Sequence, residues 1–314
     1  MEIIRSGTNF DFLGKRTLFF GLSAGLLLLG LVSLVVRGGP RYGIDFAGGT
    51  LIQVRFSQAV PTQDIRAALE GVVPGNPVVQ TFGEANEFIV QLEQSDEGLE
   101  GLSSRVHDAL AEKLGDAQVE IRRVEMVGPK VGQDLREKGL LALGFSLGAI
   151  LLYIWWRFEL RFGFGAVAAL FHDVLITIGA FSLFNKQFDL TTIAALLTII
   201  GYSLNDTIVV YDRIRENVKK TGGKGDLAQT INRSINETLS RTLLTSGTTL
   251  LVVLALFTFG GGVIHDFAFA MFTGIVIGTY SSIYIASPVV LYLEQRARRG
   301  GSAVGAKAKA KASA

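Results

Sequence analysis

Six long apolar runs decide what this chain can become. A helix rises about 1.5 Å per residue, so about twenty apolar residues are needed to cross a hydrocarbon core about 30 Å thick. The runs are Thr17 to Val36, Leu140 to Trp156, Phe162 to Phe184, Leu190 to Tyr211, Thr242 to Phe259 and Phe267 to Leu293. At that depth there is no water to satisfy backbone groups, so each run must be a helix. The first, preceded by Lys15 and Arg16, resembles a secretory signal in its charge placement. It is long for such a segment, lacks a small-residue cleavage site and is followed by five more runs, which makes it an uncleaved anchor. With 49% hydrophobic and only 18% charged residues among 314, the composition agrees. The absence of cysteine excludes disulfides, thiolate metal sites and a cysteine nucleophile, and the three scattered histidines speak against zinc.

Lysine and arginine in the short loops give an orientation. Arg5, Lys15 and Arg16 precede the first span. Arg157 and Arg161 separate the second from the third, and Arg213, Arg215, Lys219, Lys220, Lys224 and Arg233 lie between the fourth and fifth. Arg296, Arg298 and Arg299 follow the sixth, whereas the opposite short connections, Asn185 to Asp189 and Gly260 to Asp266, hold only Lys186. The positive-inside rule therefore predicts both termini in the cytoplasm and a large extracytoplasmic segment, 37–138.

That segment predicts a small α+β domain. Ile52, Val54 and Phe56 alternate with polar neighbours as in a half-buried strand after Gly48-Gly49. A helix follows, with Thr62 as its expected N-cap and Ile65, Leu69 and Val72 on one face. Pro77 to Thr81 and Glu87 to Glu93 read as two strands joined by a turn at Gly83 to Asn86, and Leu99, Leu102, Val106, Leu110 and Leu114 recur at helical spacing. A last strand, Gln118 to Val127, slips in parity across Arg122-Arg123 as a bulge allows. The order βαββαβ implies a ferredoxin-like fold.

The rest divides into an N-terminus with its first span (1–36), spans two to six (139–295) carrying a polar cytoplasmic loop (212–241), and a basic tail (296–314). The loop has a partly amphipathic pattern, Ile214, Leu227, Ile231, Ile235 and Leu239, around Gly222-Gly223-Lys224-Gly225. The Lys of that turn is followed by Gly and no strand precedes it, so it is not a phosphate loop, and no nucleic-acid partner is expected. The Ala/Lys/Gly tail is predicted to be disordered, with weak attraction to anionic lipid.

Several segments carry a family resemblance. They are Tyr42-Gly43-Ile44-Asp45-Phe46-Ala47-Gly48-Gly49-Thr50, Val127 to Gly132, Phe171-His172-Asp173-Val174, Ile200 to Val210 with Asp212-Arg213-Ile214-Arg215-Glu216-Asn217, and Ser240-Arg241-Thr242 leading to Thr245-Ser246-Gly247-Thr248-Thr249. Together they resemble the SecD/SecF family of export proteins, from Phe10 to Leu293. The resemblance implies a six-helix half of RND type, the SecF half, acting with SecD to help polypeptides through the SecYEG channel at the expense of the proton gradient. Implied partners are SecD, SecYEG, the translocating preprotein and lipid; the proton is the coupling ion and no other cofactor is implied. A proton-coupled exporter of small molecules or lipids is the alternative, and a purely structural anchor a third reading. No nucleophile, base and oxyanion set is visible, so an enzyme is not expected.

Asp206 leads the candidate residues, because an ionisable group within a span costs several kcal/mol unless paired or hydrated. Tyr202 and Ser203, one turn earlier, are expected to hydrogen-bond near it. An Asp alternating between dry and cation-paired surroundings can load and release a proton, whereas the bland alternative is a strut between helices. Arg241, at the start of the fifth span, is the candidate counter-charge, a role the resemblance also implies, although positive-inside topology alone would place an arginine there. Asn205 points about a quarter-turn away and is expected to bridge helices. Asp173 with His172 either extends a polar pathway or satisfies a neighbouring helix. Gly274, Gly278 and Ser282, like Gly165 and Ala169, form packing stripes, with SecD as one candidate neighbour. Gly43, Asp45, Gly48 and Gly49 are assigned to turn geometry at the entry to the sheet, and Tyr153, Trp155 and Trp156 to an interfacial belt.

Overall fold

The computed structural model describes residues 8–93, 98–115, 119–222 and 225–297. Arg5, Gln118, the centre of the Gly222 to Gly225 turn and the tail from 298 onward lie outside the described residues. In chain order the elements are α1 (Arg16–Val36), α2 (Ile44–Ala47), β1 (Gly49–Phe56), α3 (Thr62–Leu69), β2 (Val78–Phe82), β3 (Glu84–Leu92), α4 (Leu99–Leu114), β4 (Val119–Val127), α5 (Pro129–Arg157), α6 (Leu160–Leu183), α7 (Leu190–Lys220), α8 (Leu227–Phe259) and α9 (Gly261–Ser281). The sixth apolar helix runs Ile264–Ala297, with a π-helical turn at Ser282–Ala286. All six apolar runs are thus helices long enough to span a membrane.

Three spans, α5, α7 and α8, are longer than their apolar runs. Pro129, at the start of α5, lacks the N–H that a first helical turn leaves unpaired, so α5 begins well before Leu140. The stretch from Asp212 to Arg241 is helical for most of its length, because α7 and α8 continue past the apolar zone and pack on each other. Ile214, Leu227, Ile231, Ile235 and Leu239 are buried between them and their neighbours. Asn217 Nδ2 donates to Ser234 Oγ at 3.0 Å and to Glu237 Oε2 at 2.8 Å, and Glu237 also takes Arg213 and Arg233 at 2.5 and 2.8 Å.

The outer segment folds as a four-stranded antiparallel sheet, ordered β2-β3-β1-β4. Ile52, Val54 and Phe56 are buried with Phe88 and Val90 from β3, Ile65 and Leu69 from α3, and Leu102, Val106 and Leu110 from α4. Each such side chain contributes about 1.5–3 kcal/mol by leaving water. The parity slip is a bulge: Gln53 pairs with Arg123 but Val54 with Ile121, leaving Arg122 as the extra residue. Thr62 is not the N-cap. Pro61, at φ −60°, holds that position, and Thr62 is already helical. Gly49, at φ +113°, would place a Cβ 2.4 Å from the Leu92 carbonyl oxygen, so no other residue fits where the chain enters β1.

Small residues let the spans close on one another. Cα of Gly179 lies 2.8 Å from where a Cβ on Gly30 would stand, which brings α1 against α6. Gly165 faces Tyr211 of α7 and the Ala286 carbonyl. Gly274 and Gly278 face Ile199 and Ser203 of α7, so this stripe packs within the chain instead of toward a partner.

Candidate functional site

Two carboxylates lie inside the helix bundle. Asp206 on α7 is 9% exposed; Thr242 Oγ1 on α8 donates to its Oδ1 at 2.6 Å and Ser282 Oγ to its Oδ2 at 2.9 Å. Asp173 on α6 is 1% exposed, and its Oδ2 accepts from Ser203 Oγ at 2.6 Å and Ser281 Oγ at 2.8 Å. His172 Nδ1 lies 2.9 Å from Asp173 Oδ1, and its Nε2 lies 2.9 Å from Ser23 Oγ on α1. Ser23 Oγ is 2.8 Å from the Tyr280 hydroxyl, which donates to the Phe19 carbonyl at 2.5 Å.

Adjacent residues on an α-helix point about 100° apart, which lets consecutive serines reach two different acids. Ser281 turns to Asp173 and Ser282 to Asp206, at the point where the sixth span widens into its π-turn. Such a turn inserts one residue into the helical ladder and recurs at functional sites. Ser287 Oγ donates to the Ser282 carbonyl at 2.9 Å, five residues back. Gly278 makes the approach feasible, since a Cβ there would stand 2.9 Å from Ser203 Cβ.

The sequence expectations meet this geometry unevenly. Ser203 serves Asp173 and not Asp206, and the Tyr202 hydroxyl turns away to Thr249 Oγ1 at 3.2 Å. Residues three and four positions before Asp206 lie on its side of the helix, but the neighbouring spans take their hydroxyls. Asn205 bridges no helices: it is exposed and has no hydrogen-bond partner among the described residues. Arg241 is exposed beside Thr242, and among the described residues no ion pair joins it to Asp206. It lines a cavity of about 1540 Å³ shared with Arg16, Arg213, Asn232 and Glu237. Ser282, assigned to packing from sequence, is a ligand of Asp206 as well. Thr242, Ser281, Ser23 and Tyr280 were missed; the signal available for the first three was a hydroxyl placed in an apolar run.

The Gly43 to Gly49 motif does more than turn the chain. The Gly43 N–H donates to the Phe188 carbonyl at 3.0 Å, and the Phe188 N–H to the Arg41 carbonyl at 2.7 Å. Asp45 Oδ2 accepts the N–H of Leu190, the first residue of α7, at 3.1 Å. Asp189 caps the same terminus through a capping box with Thr192. Two carboxylates thus sit at the positive end of the helix that carries Asp206. Burial holds the Asp45 carboxyl above its ordinary range against the opposing Leu190 bond, and Asp189 and Glu125 push it further up.

With this geometry in place, comparison with known proteins is informative. Residues 106–296 match the family model "Protein export membrane protein SecD/SecF, C-terminal" and residues 32–60 match the "SecD/SecF GG Motif". The chain is 50% identical over 302 residues to the protein translocase subunit SecF of Magnetococcus marinus, covering 95% of this chain and 96% of that one. It is 47% identical to the SecF of Vibrio alginolyticus, at 93% and 92% coverage. The crystal structure of SecDF, a translocon-associated membrane protein from Thermus thermophilus, superposes with a TM-score of 0.83 at 40% identity, covering 92% of this chain and 39% of that longer one. On the extent of these matches, which take in both the outer motif and the helices holding the two acids, the chain belongs to the SecD/SecF family of protein-export membrane proteins.

Proposed function

We propose that this chain is the SecF-type auxiliary subunit of Sec protein export, and that it works with SecD to turn the proton-motive force into late translocation and release of polypeptides. The carrying observation is Asp206, a carboxylate buried within the fourth span between hydroxyls of α8 and the π-turn. An acid so placed costs several kcal/mol unless it is used or compensated, and two hydroxyls without a cation compensate only in part. Asp206 is the group that takes up and gives back the proton. Arg241, at the rim of the cytoplasmic-side cavity, meets it when the helices rearrange. One charge crossing 100 mV yields about 2.3 kcal/mol, enough to bias a domain movement.

SecD supplies the second six-helix half. In support, Gly201, Asn205, Thr245 and Thr248 leave an exposed, partly polar strip on α7 and α8 at membrane depth, which another helix would cover. The outer domain is ferredoxin-like, in keeping with its element order and antiparallel strand order. It lies in the periplasm and both termini in the cytoplasm, in keeping with the arginine-rich loops. SecYEG, the preprotein and lipid complete the set of partners. In inverted vesicles containing SecD, Asp206→Asn is expected to abolish proton-gradient stimulation of late release while assembly with SecD persists. Full stimulation in that variant would remove the coupling role; dye or lipid extrusion with preprotein transit untouched would favour an exporter.

A further inference from the structure

We infer that His172 and Asp173 form a second proton-binding site, that the pair holds a proton in this conformation, and that Ser281 and Ser282 couple it to Asp206. This rests on the proposed proton coupling at Asp206 and extends it to a group of a different chemical kind.

The hydrogens along the chain of contacts carry the inference. Four consecutive contacts run Asp173 Oδ1 to His172 Nδ1 (2.9 Å), His172 Nε2 to Ser23 Oγ (2.9 Å), Ser23 Oγ to Tyr280 Oη (2.8 Å) and Tyr280 Oη to the Phe19 carbonyl (2.5 Å). Each needs one hydrogen, and the Phe19 carbonyl can only accept. Tyrosine, serine and a neutral imidazole supply one hydrogen each, and an ionised carboxylate supplies none. Three hydrogens therefore face four contacts. Because Tyr280 spends its hydrogen on Phe19, the serine must give its own either to Tyr280 or to His172, and one contact is left as two lone pairs facing each other at hydrogen-bond distance. His172 is 6%, Asp173 1% and Ser23 3% exposed, so a mismatch at the His172 end of the chain is buried and costs free energy.

One added proton satisfies every contact. The pair goes from carboxylate and neutral imidazole, net charge −1, to net charge zero, with the proton either on the imidazole or on the carboxyl group. His172 Nε2–H then donates to Ser23, Ser23 to Tyr280 and Tyr280 to Phe19. No bond other than N–H or O–H forms or breaks. Asp206 shows no such deficit: each of its oxygens accepts from one hydroxyl, and neither contact lacks a hydrogen when the acid is ionised. The titratable groups that face the pair are Tyr280, whose ring stacks on His172 at 6.0 Å between centroids, and Asp206, reached across consecutive serines.

Both serines can change partner without losing a hydrogen bond. Ser281 Oγ has the Gly278 carbonyl at 3.1 Å and Ser282 Oγ the Thr279 carbonyl at 3.0 Å as alternative acceptors one turn back. A carboxylate that loses its negative charge accepts more weakly, and its serine then has that second acceptor within reach. The two serines are neighbours, Ser281 closing α9 and Ser282 opening the π-turn, so a change at either acid reaches the residue beside the one that serves the other.

The test is nitrogen-15 magic-angle-spinning NMR on the full chain, histidine-labelled, in lipid bilayers at neutral pH, with the carboxylic C=O stretch followed by infrared difference spectroscopy. His107→Gln and His265→Gln assign the signals by elimination. The expected result is either an imidazolium at His172 or a protonated carboxyl band that vanishes in Asp173→Asn. Ser23→Ala removes two of the four contacts, leaving two hydrogens for two contacts, and is expected to move the loss of that proton to lower pH. Asp206→Asn, by removing a neighbouring negative charge, shifts it the same way, by about one pH unit. A neutral His172 beside an ionised Asp173 at neutral pH would overturn the site. An unchanged midpoint in Asp206→Asn would overturn the coupling. Neither readout depends on export, so export lost in Asp206→Asn with a proton-free pair would sink this inference alone, and a protonated pair with export retained would sink only the Asp206 reading.

Discussion

Replacing Gly278 by alanine forces α7 and α9 apart at the point where both acids are held. The added Cβ would stand 2.9 Å from Ser203 Cβ and 3.0 Å from its Oγ, where carbon contacts are comfortable at about 3.5–4.0 Å. Either the helices separate by about half an ångström or more, or Ser203 rotates and gives up its 2.6 Å bond to Asp173. Overpacking of this kind costs about 1–3 kcal/mol. The lost bond to a carboxyl group costs about 1.5–3 kcal/mol. The cheaper route sets the effect, so the loss is about 1–3 kcal/mol, or about 5- to 150-fold in the unfolding equilibrium. Alanine recovers up to about 1 kcal/mol of helix propensity, and Gly247 isolates that gain, since a Cβ there meets nothing within 4 Å. Unfolding of the full chain in mixed detergent micelles reads both variants. Gly247→Ala should match or exceed the parent and Gly278→Ala should fall below it. Equal stability of the two would refute the close-approach reasoning.

Arg241→Met should impair proton-gradient stimulation of release in vesicles while leaving membrane orientation intact; unchanged export would reduce Arg241 to a topology determinant. Asp45→Asn keeps an oxygen for the Leu190 N–H and removes the ionisation. Because burial raises the midpoint of the folded carboxyl above that of the unfolded chain, wild-type stability is fullest below the unfolded midpoint and falls as pH rises through the raised one, although the Leu190 N–H bond itself favours the ionised form. Wild-type thermal stability should therefore fall relative to Asp45→Asn between about pH 4 and neutrality, and parallel curves would refute it. The chain has no cysteine, and a Cβ on Gly43 would lie 3.3 Å from Asp189 Cβ, close to disulfide spacing. Oxidised Gly43→Cys/Asp189→Cys should export as well as its reduced form if the motif and the start of α7 move as one body, and a loss reversed by reductant would show that they separate.

The six spans were legible because twenty-residue apolar periodicity has few other physical solutions, and the outer strands because Ile52, Val54 and Phe56 alternate cleanly. Even the bulge at Arg122 left its trace in the parity of β4. The helical extension of α7 and α8 was half legible: Ile214, Ile231 and Ile235 announced a buried face, but not that it belonged to helices continuous with the spans. Asp206 stood out by its cost. Its partners did not, because a serine or threonine in an apolar helix commonly bonds its own backbone, as Thr198 and Thr258 do here. Only the crossing of helices distinguishes Thr242 and Ser282 from these. The π-turn at Ser282–Ala286 left no local signature in the sequence.

A proton taken up in the bundle matters for export only if the outer domain can feel it, and α7 offers a direct connection. It is a helix of 31 residues, about 46 Å long, and Asp206 lies about 24 Å along it from Leu190. Its outer end is fastened to the Gly43 to Gly49 motif by Asp45 and by the Arg41 to Phe188 backbone bonds, and that motif leads straight into β1, a central strand of the sheet. Its middle is gripped by α6, α8 and the sixth span through the hydroxyls bound to the two acids. A straight helix transmits displacement along its axis far better than a loop does. The position of Asp45 at the terminus of the helix that holds the acid therefore gives the outer motif a mechanical reason to exist, beyond the turn geometry its glycines satisfy.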